Sequence, residues 1–246
     1  MAGLATARAL ARSIGIYYGD RERSRAMDAL HRRFVKRGDV VFDVGAHVGD
    51  RTASFRRLGA KVVSVEPQPA LARMLRLAYG WRGVAVVQAA VGRAEGRVDL
   101  RLNIENPTVA TASEAFIAAA RDAEGWERQR WTQVASVPMT TLDALAARHG
   151  VPDFLKIDVE GFEAEALAGM RFAPPALSFE FTTIQRDVAH ACVARMMALG
   201  DYRFNAALGE TQILVFAEPL DAAGIGAFID GLPAAANSGD IYAIAA

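Results

Sequence analysis

Carboxylates recur where short apolar runs stop. "DVVFDV" (39–44) carries Asp43 and leads into Gly45-Ala46-His47-Val48-Gly49-Asp50. "KVVSVE" (61–66) ends in Glu66, followed by Pro67 and Gln68. "VAVVQAAV" (84–91) ends in Ala89-Ala90-Val91. "FLKIDV" (154–159) carries Asp158, with Glu160 and Gly161 after it, and "ALSFEF" (176–181) carries Glu180. Four of these five ends are acidic, so the ligand they would surround is constrained. Phosphates at close range would be repelled. A ligand with a positive centre and hydroxyls would not.

The loop after Asp43 sharpens that reading. A dinucleotide loop follows G-x-G-x-x-G, and its second glycine lets backbone approach a pyrophosphate. Counted from Gly45, that frame needs glycine at 47 and 50; the chain has His47 and Asp50, with its second glycine at Gly49. Without pyrophosphate, His47 becomes tolerable, while Gly45 and Gly49 still allow a tight turn. Glu66 lies 23 residues beyond Asp43, near the roughly 20-residue offset at which an acid meets a ribose diol. An ionised carboxylate accepts both hydroxyls with charge assistance. S-adenosylmethionine suits these demands: a sulfonium, a ribose, an adenine and no phosphate.

These residues need a scaffold, and the patterns between them supply one. "RTASFRRLG" reads as a short helix ending at Gly59. "PALARMLRLAYG" puts Leu71, Leu75 and Ala78 on one face and closes on Gly80 as a C-cap. "TLDALAARHG" is a helix with Thr141 as N-cap, and "EAEALAGM" is a helix stopped by Pro174 and Pro175. "VAHACVARMMALG" sets Val188, Cys192 and Met196 on one buried face. "GRVDLRL" reads as a strand at or near an edge. Residues 103–133 break the rhythm as an insert, first a polar loop and then a helix. "YRFNAALGETQILVFA" reads as two strands around a glycine turn. Strands alternating with helices predict an α/β fold, doubly wound and Rossmann-like, with a mostly parallel sheet and an antiparallel C-terminal hairpin. Ligands then lie at the C-terminal strand ends.

Bulk properties exclude other classes. Formal net charge is zero, which gives no global grip on nucleic acid. No apolar run approaches a membrane span. One cysteine excludes an internal disulfide and a cysteine-based zinc site. The first segment, "MAGLATARALARSIGIYYG", has arginines and no acids. It is read as a helix on the domain edge, with a membrane-surface or polyanion contact as the other reading. The chain is read as cytoplasmic, and its oligomeric state is open. Residues 1–37 form an N-terminal helical or lid segment and 38–246 the main domain. Arg21, Arg23, Arg25, Arg32 and Arg33 suggest an anionic acceptor or carrier, or else a solvated helix face.

"VFDVGAHVGDRT", "VVSVEPQP", "AAVG", "TTLDAL", "FLKIDVEGFEAEALAG" and "LSFEF" together resemble the FkbM family of class I methyltransferases, and the tail "SGDIYA" resembles a subgroup. The resemblance implies a seven-stranded sheet and methyl transfer from S-adenosylmethionine, typically to oxygen, with no particular acceptor. Histidine at 47 departs from the asparagine common in the family. By the resemblance, Asp43, Gly45, Ala46 and Gly49 line the methionine end; His47, within the same loop, is read as a cofactor-side loop hydrogen-bonder. Glu66 takes the ribose hydroxyls with Pro67 and Gln68 beside it, and Ala90 and Val91 flank the adenine. Asp158 and Glu160 face the sulfonium and the incoming nucleophile.

A hydroxyl nucleophile must lose its proton near the transition state. Asp158 is the first candidate base and Glu160 the second. The alternatives are that Asp158 only hydrogen-bonds the cofactor and Glu160 only caps a helix. Glu180, Asn106 and Thr108 are candidates for contact with the acceptor, a hydroxylated small molecule or glycan. No metal is expected, although Asp158, Glu160 and Glu180 could bind magnesium. Trp126 and Trp131 are read as packing the insert, or else stacking on the acceptor. The competing functions are a dinucleotide-dependent oxidoreductase and a non-catalytic cofactor-binding module.

Overall fold

The structure, a computed structural model, describes residue 15 and residues 18–246. Most of the arginine-bearing first segment lies outside the described residues. After it, α1 (Arg21–His31) starts at Asp20, whose carboxylate accepts the N–H groups of Glu22 and Arg23 at 2.8 and 3.0 Å. Strand β1 (Val40–Val44) follows, then α2 (Asp50–Arg57), β2 (Lys61–Val65) and α3 (Pro69–Tyr79). After these come β3 (Ala85–Val87), β4 (Ala90–Val91), β5 (Gly96–Leu102) and α4 (Glu114–Arg121). The second half runs β6 (Gln133–Thr140), α5 (Leu142–His149), β7 (Phe154–Ile157), α6 (Glu163–Ala168), β8 (Ala176–Thr182) and α7 (Arg186–Leu199). It closes with β9 (Tyr202–Leu208), α8 (Ala222–Gly231) and β10 (Ser238–Ala245).

Seven strands form the main sheet in the order β3-β2-β1-β7-β8-β10-β9. The first five are parallel; β10 runs antiparallel to both β8 and β9. The order reverses between β1 and β7, and a doubly wound sheet opens its ligand crevice at such a switch point. Side chains alternate across the sheet. Phe42, Val44, Leu155 and Ile157 enter one apolar core, with α5, α6, α7 and α8 packed on it. Val41 and Phe154 enter the other, beneath α1, α2 and α3. On that second face the next position of each strand is polar. Register sets Ser64, Asp43, Lys156 and Ser178 side by side near the strand ends. Alternation alone therefore delivers a buried polar row to the crevice.

Three expectations are corrected. "VAVVQAAV" is not one strand: β3 joins the main sheet, whereas β4 leaves for a separate three-stranded sheet, β4-β6-β5. Strand β6 was not foreseen. It is the central strand of that small sheet and carries Pro138, a residue that ordinarily argues against a central strand. It fits because the partner β4 pairs only with Met139 and Thr140. Finally, the antiparallel partner of β9 is β10 rather than the residues after Gly209. Phe216 gives both its backbone groups to the Asn205 side chain, at 2.7 and 3.1 Å. Its neighbours therefore make only isolated bridges to β9. Thr141 does cap α5, accepting from the Ala144 N–H at 3.1 Å.

Candidate functional site

A cleft of about 1160 Å3, counted to its open mouth, lies over the strand ends. Asp43, Gly45, Ala46, His47, Glu66, Pro67, Gln68, Ala90, Val91, Thr108, Asp158, Glu160 and Glu180 all line it. Gly49 and Asn106 do not. Gly49 caps α2 in the left-handed region, and a side chain there would strike Leu75 and Tyr79. Asn106 accepts the Thr108 hydroxyl and donates to Gln129, so it organises the insert.

Two turns bring the loops together. At Gly45 (φ 83°) a Cβ would sit 1.7 Å from the Asp158 carbonyl oxygen, so β1 and β7 can part this closely only at glycine. His47 and Glu160 are non-glycine residues at φ 46° and 54°, and both line the cleft. Left-handed backbone at ordinary residues costs of order 1 kcal/mol or more and clusters at functional sites.

At one end of the cleft stands Glu66. Its two oxygens accept the His47 N–H at 2.9 Å and the Gln68 N–H at 2.8 Å. Each keeps a further lone pair. Burial raises its pKa to about 7, against these bonds, which favour the anion. Burial likewise lifts Asp43 to about 6. Asp43 accepts the Thr52 hydroxyl at 2.5 Å, and Thr52 lies 2.7 Å from Ser64. Asp43 is thus anchored to α2. Burial lowers His47 to about 4, so its imidazole is neutral near pH 7 and a weak base.

At the other end, ligand oxygens of Asp158, Glu160 and Glu180 lie within 4.8 Å of one another. Burial alone would raise all three pKa values. Lys156 and Arg51 outweigh it at Asp158, which stays ionised below the usual carboxylate range. At Glu160 and Glu180 the pull of Lys156 is outweighed, and Arg51 adds nothing to it. Burial, reinforced by the Asp158 charge, lifts both far above the usual range. Low at Asp158 and high at Glu160 and Glu180, the three pKa values place negative charge on Asp158 first. Glu180 Oε2 is buried without a hydrogen-bond partner among the described residues. Three ordinarily anionic oxygens this close also suit a divalent cation.

Lys156 was not foreseen as a site residue, nor was Asp240. Lys156 Nζ lies 2.5 Å from Asp240 and 3.3 Å from Asp158. Burial favours its neutral form, but the two carboxylates prevail and keep it charged. The signal was present: a lysine inside the apolar run "FLKIDV" is buried only when paired. Arg51 and Glu210 were missed as well. Arg51 bridges Asp50 at 2.8 Å and Glu210 at 3.2 Å, and Arg23 of α1 bridges the same two at 3.2 and 2.7 Å. Arg21, Arg23, Arg25, Arg32 and Arg33 are all outside the lining. The cations that line the cleft are Arg51 and Lys156 instead.

The insert roofs the cleft. Thr111 donates to the Glu160 carbonyl at 2.6 Å, and Gln68 donates to the Pro107 carbonyl at 3.0 Å. Trp126 and Trp131 meet Phe116 edge-on and pack the insert, away from the lining. No helix among the described residues is long and apolar enough to cross a membrane.

Among curated proteins, none matches the sequence. Solved structures do. Methyltransferase FkbM from Methylobacillus flagellatus is 14% identical with TM-score 0.51; the match covers 84% of this chain and 43% of that one. This chain thus spans less than half of that protein. A precorrin-6y C5,15-methyltransferase from Geobacter metallireducens is 14% identical, covering 92% and 89% with TM-score 0.45. A TehB-like SAM-dependent methyltransferase from Corynebacterium glutamicum is 12% identical, covering 90% and 88% with TM-score 0.45. At such identity the likeness is one of fold. The sequence itself matches the Methyltransferase FkbM domain over residues 43–204, about two thirds of the chain. This stretch holds the glycine turn, Glu66 and all three clustered carboxylates, and the chain belongs to the FkbM family of methyltransferases.

Proposed function

We propose that this chain transfers a methyl group from S-adenosylmethionine to a hydroxyl oxygen of a small molecule or glycan. The observation that carries the reading is the pairing of two ends in one cleft. Glu66 keeps lone pairs for a ribose diol, and the cluster of Asp158, Glu160 and Glu180 has room for a proton. When bound, S-adenosylmethionine supplies an electrophilic methyl on a sulfonium. Glu66 would accept the ribose hydroxyls, and Ala90 and Val91 would flank the adenine. Asp43, Gly45, Ala46 and His47 would line the methionine end.

For the base, the electrostatics favour Glu160 over Asp158, the reverse of the sequence-based order. Asp158 is held ionised by Lys156 and is a weak base. Its role would be to face the positive centre. Burial, with the Asp158 charge, pushes the Glu160 carboxyl well above the usual range and so favours its protonated form. It gives that proton up more readily once positive charge enters, and as an anion of raised pKa it can take the proton of an acceptor hydroxyl. Glu180 would contact the acceptor or share that proton, and Thr108, which lines the same cleft, would contact the acceptor from the insert.

The test is incubation of S-adenosylmethionine carrying an isotope-labelled methyl with hydroxylated small molecules and glycans, and location of the label by NMR. Label on oxygen is expected, reduced about 100-fold or more in Glu160→Gln. Label only on nitrogen or carbon contradicts the oxygen assignment, and binding without transfer to any acceptor favours a non-catalytic module. A magnesium-assisted transfer is the second reading, favoured by the spacing of the three carboxylates. Loss of transfer on chelation, restored by magnesium, would select it.

A further inference from the structure

Asp and Glu total 28 in the chain, yet residues 67–94 contain none, while carrying Arg73, Arg76, Arg82 and Arg93. The middle of that stretch is α3 and the turn after it. Leu75 and Tyr79 face the core. On the outer side, Arg73, Arg76 and Arg82 are exposed, and between them Leu77 and Trp81 are 72% and 74% exposed. Arg73 and Leu77, four apart in α3, are neighbours on the helix surface, and Trp81 follows in the turn after it. The Arg82 guanidinium lies 4.4 Å from the Trp81 ring centroid. A second acid-free stretch, residues 1–19, holds Arg8 and Arg12. Its described residue Tyr18 reaches the core side of the same helix: Tyr79 and Tyr18 share a 2.6 Å hydrogen bond, and Tyr18 donates to the Val48 carbonyl at 3.0 Å.

We propose that this face, Leu77 and Trp81 ringed by Arg73, Arg76 and Arg82, docks the protein on an anionic lipid bilayer. The charge is complementary: each arginine near an anionic surface adds attraction, and no acid of the same segment opposes it. The apolar pair is suited to the interface, where tryptophan rests with its ring among headgroups. A soluble anion would need a concave site to hold it. Here three arginines and an apolar pair are exposed together on one short stretch outside the cleft, which fits a flat, two-phase partner. None of the five residues lines the cleft. Docking would therefore leave cofactor binding intact and bring methyl transfer to a surface.

The experiment is co-sedimentation of the full chain with vesicles of phosphatidylcholine alone and of phosphatidylcholine mixed with phosphatidylglycerol. Expected is binding to the mixed vesicles only, weakened about tenfold or more at high salt. Leu77→Ser with Trp81→Ser, and separately Arg73→Glu with Arg76→Glu, should each reduce binding about tenfold or more. Unchanged affinity for S-adenosylhomocysteine in the same variants shows that they fold. No binding to mixed vesicles at low salt overturns the proposal, and so does binding that both variants retain. Sedimentation velocity gives the other contrary result, a self-associated chain that Trp81→Ser dissociates, which would assign the face to a second copy.

Discussion

His47 sits in the left-handed region at the turn of the glycine loop, and this explains the tolerance seen at that position. Asparagine and histidine are enriched in that region, whereas β-branched residues are outliers there. His47→Asn is expected to leave cofactor affinity within a few-fold. His47→Val is expected to cost roughly 1–3 kcal/mol by denaturant unfolding. Lys156 makes a larger case. It is buried between Asp158 and Asp240, and Lys156→Met leaves the buried Asp240 without its cation and the half-buried Asp158 with Arg51 alone. A loss of roughly 3–5 kcal/mol is expected in urea unfolding. Stability within 1 kcal/mol of wild type would show that the pair is not the anchor described. The glycine turn, Glu66 and the three clustered carboxylates were legible because each follows an apolar run. For Lys156 the apolar run signalled a buried, paired lysine but not its partner, because Asp240 reaches it only through β7 and β10 lying across β8 from each other, a long-range pairing that local sequence does not carry.

At the scale of elements, β10 completes the sheet from the far end of the chain. It is inserted between β8 and β9, and it brings Asp240 to Lys156 and Tyr242 against Phe34 at 5.1 Å between rings. Tyr242 is fully buried, so Tyr242→Ala is expected to cost roughly 3–5 kcal/mol in thermal or urea unfolding. The parallel strands were readable from their apolar runs. The β9 partner was misplaced because "ILVF" has the composition of a strand, yet Ile213 and Val215 are exposed and Asn205 captures the Phe216 backbone. Composition cannot show that a side chain outcompetes a ladder. The break in "VAVVQAAV" and the proline-bearing β6 were hidden for a related reason, since separate sheets compete for neighbouring residues.

For the whole molecule, a neutral chain concentrates acids in one cleft, and its pH behaviour follows. Glu66 has its folded pKa raised from 4.5 to about 7. Its contribution to ligand-free stability is therefore full below about 4.5 and is lost as pH rises through about 7. For cofactor binding the opposite sign is expected, because in the proposed role the Glu66 anion would accept both ribose hydroxyls. Affinity for S-adenosylhomocysteine is expected to fall by up to about tenfold per pH unit below 7. Glu66→Gln should flatten that dependence when measured by calorimetry between pH 5 and 8.

The central claim is that this cleft is built for S-adenosylmethionine, with Glu66 as its ribose acceptor. Calorimetric titration of the full chain with S-adenosylmethionine, S-adenosylhomocysteine and NAD tests it most directly, repeated with Glu66→Ala. The account expects both adenosyl ligands to bind, NAD to be rejected, and Glu66→Ala to lose about tenfold to 100-fold in affinity, the size of a charge-assisted contact. Binding of NAD without S-adenosylmethionine, or adenosyl binding indifferent to Glu66→Ala, would contradict it.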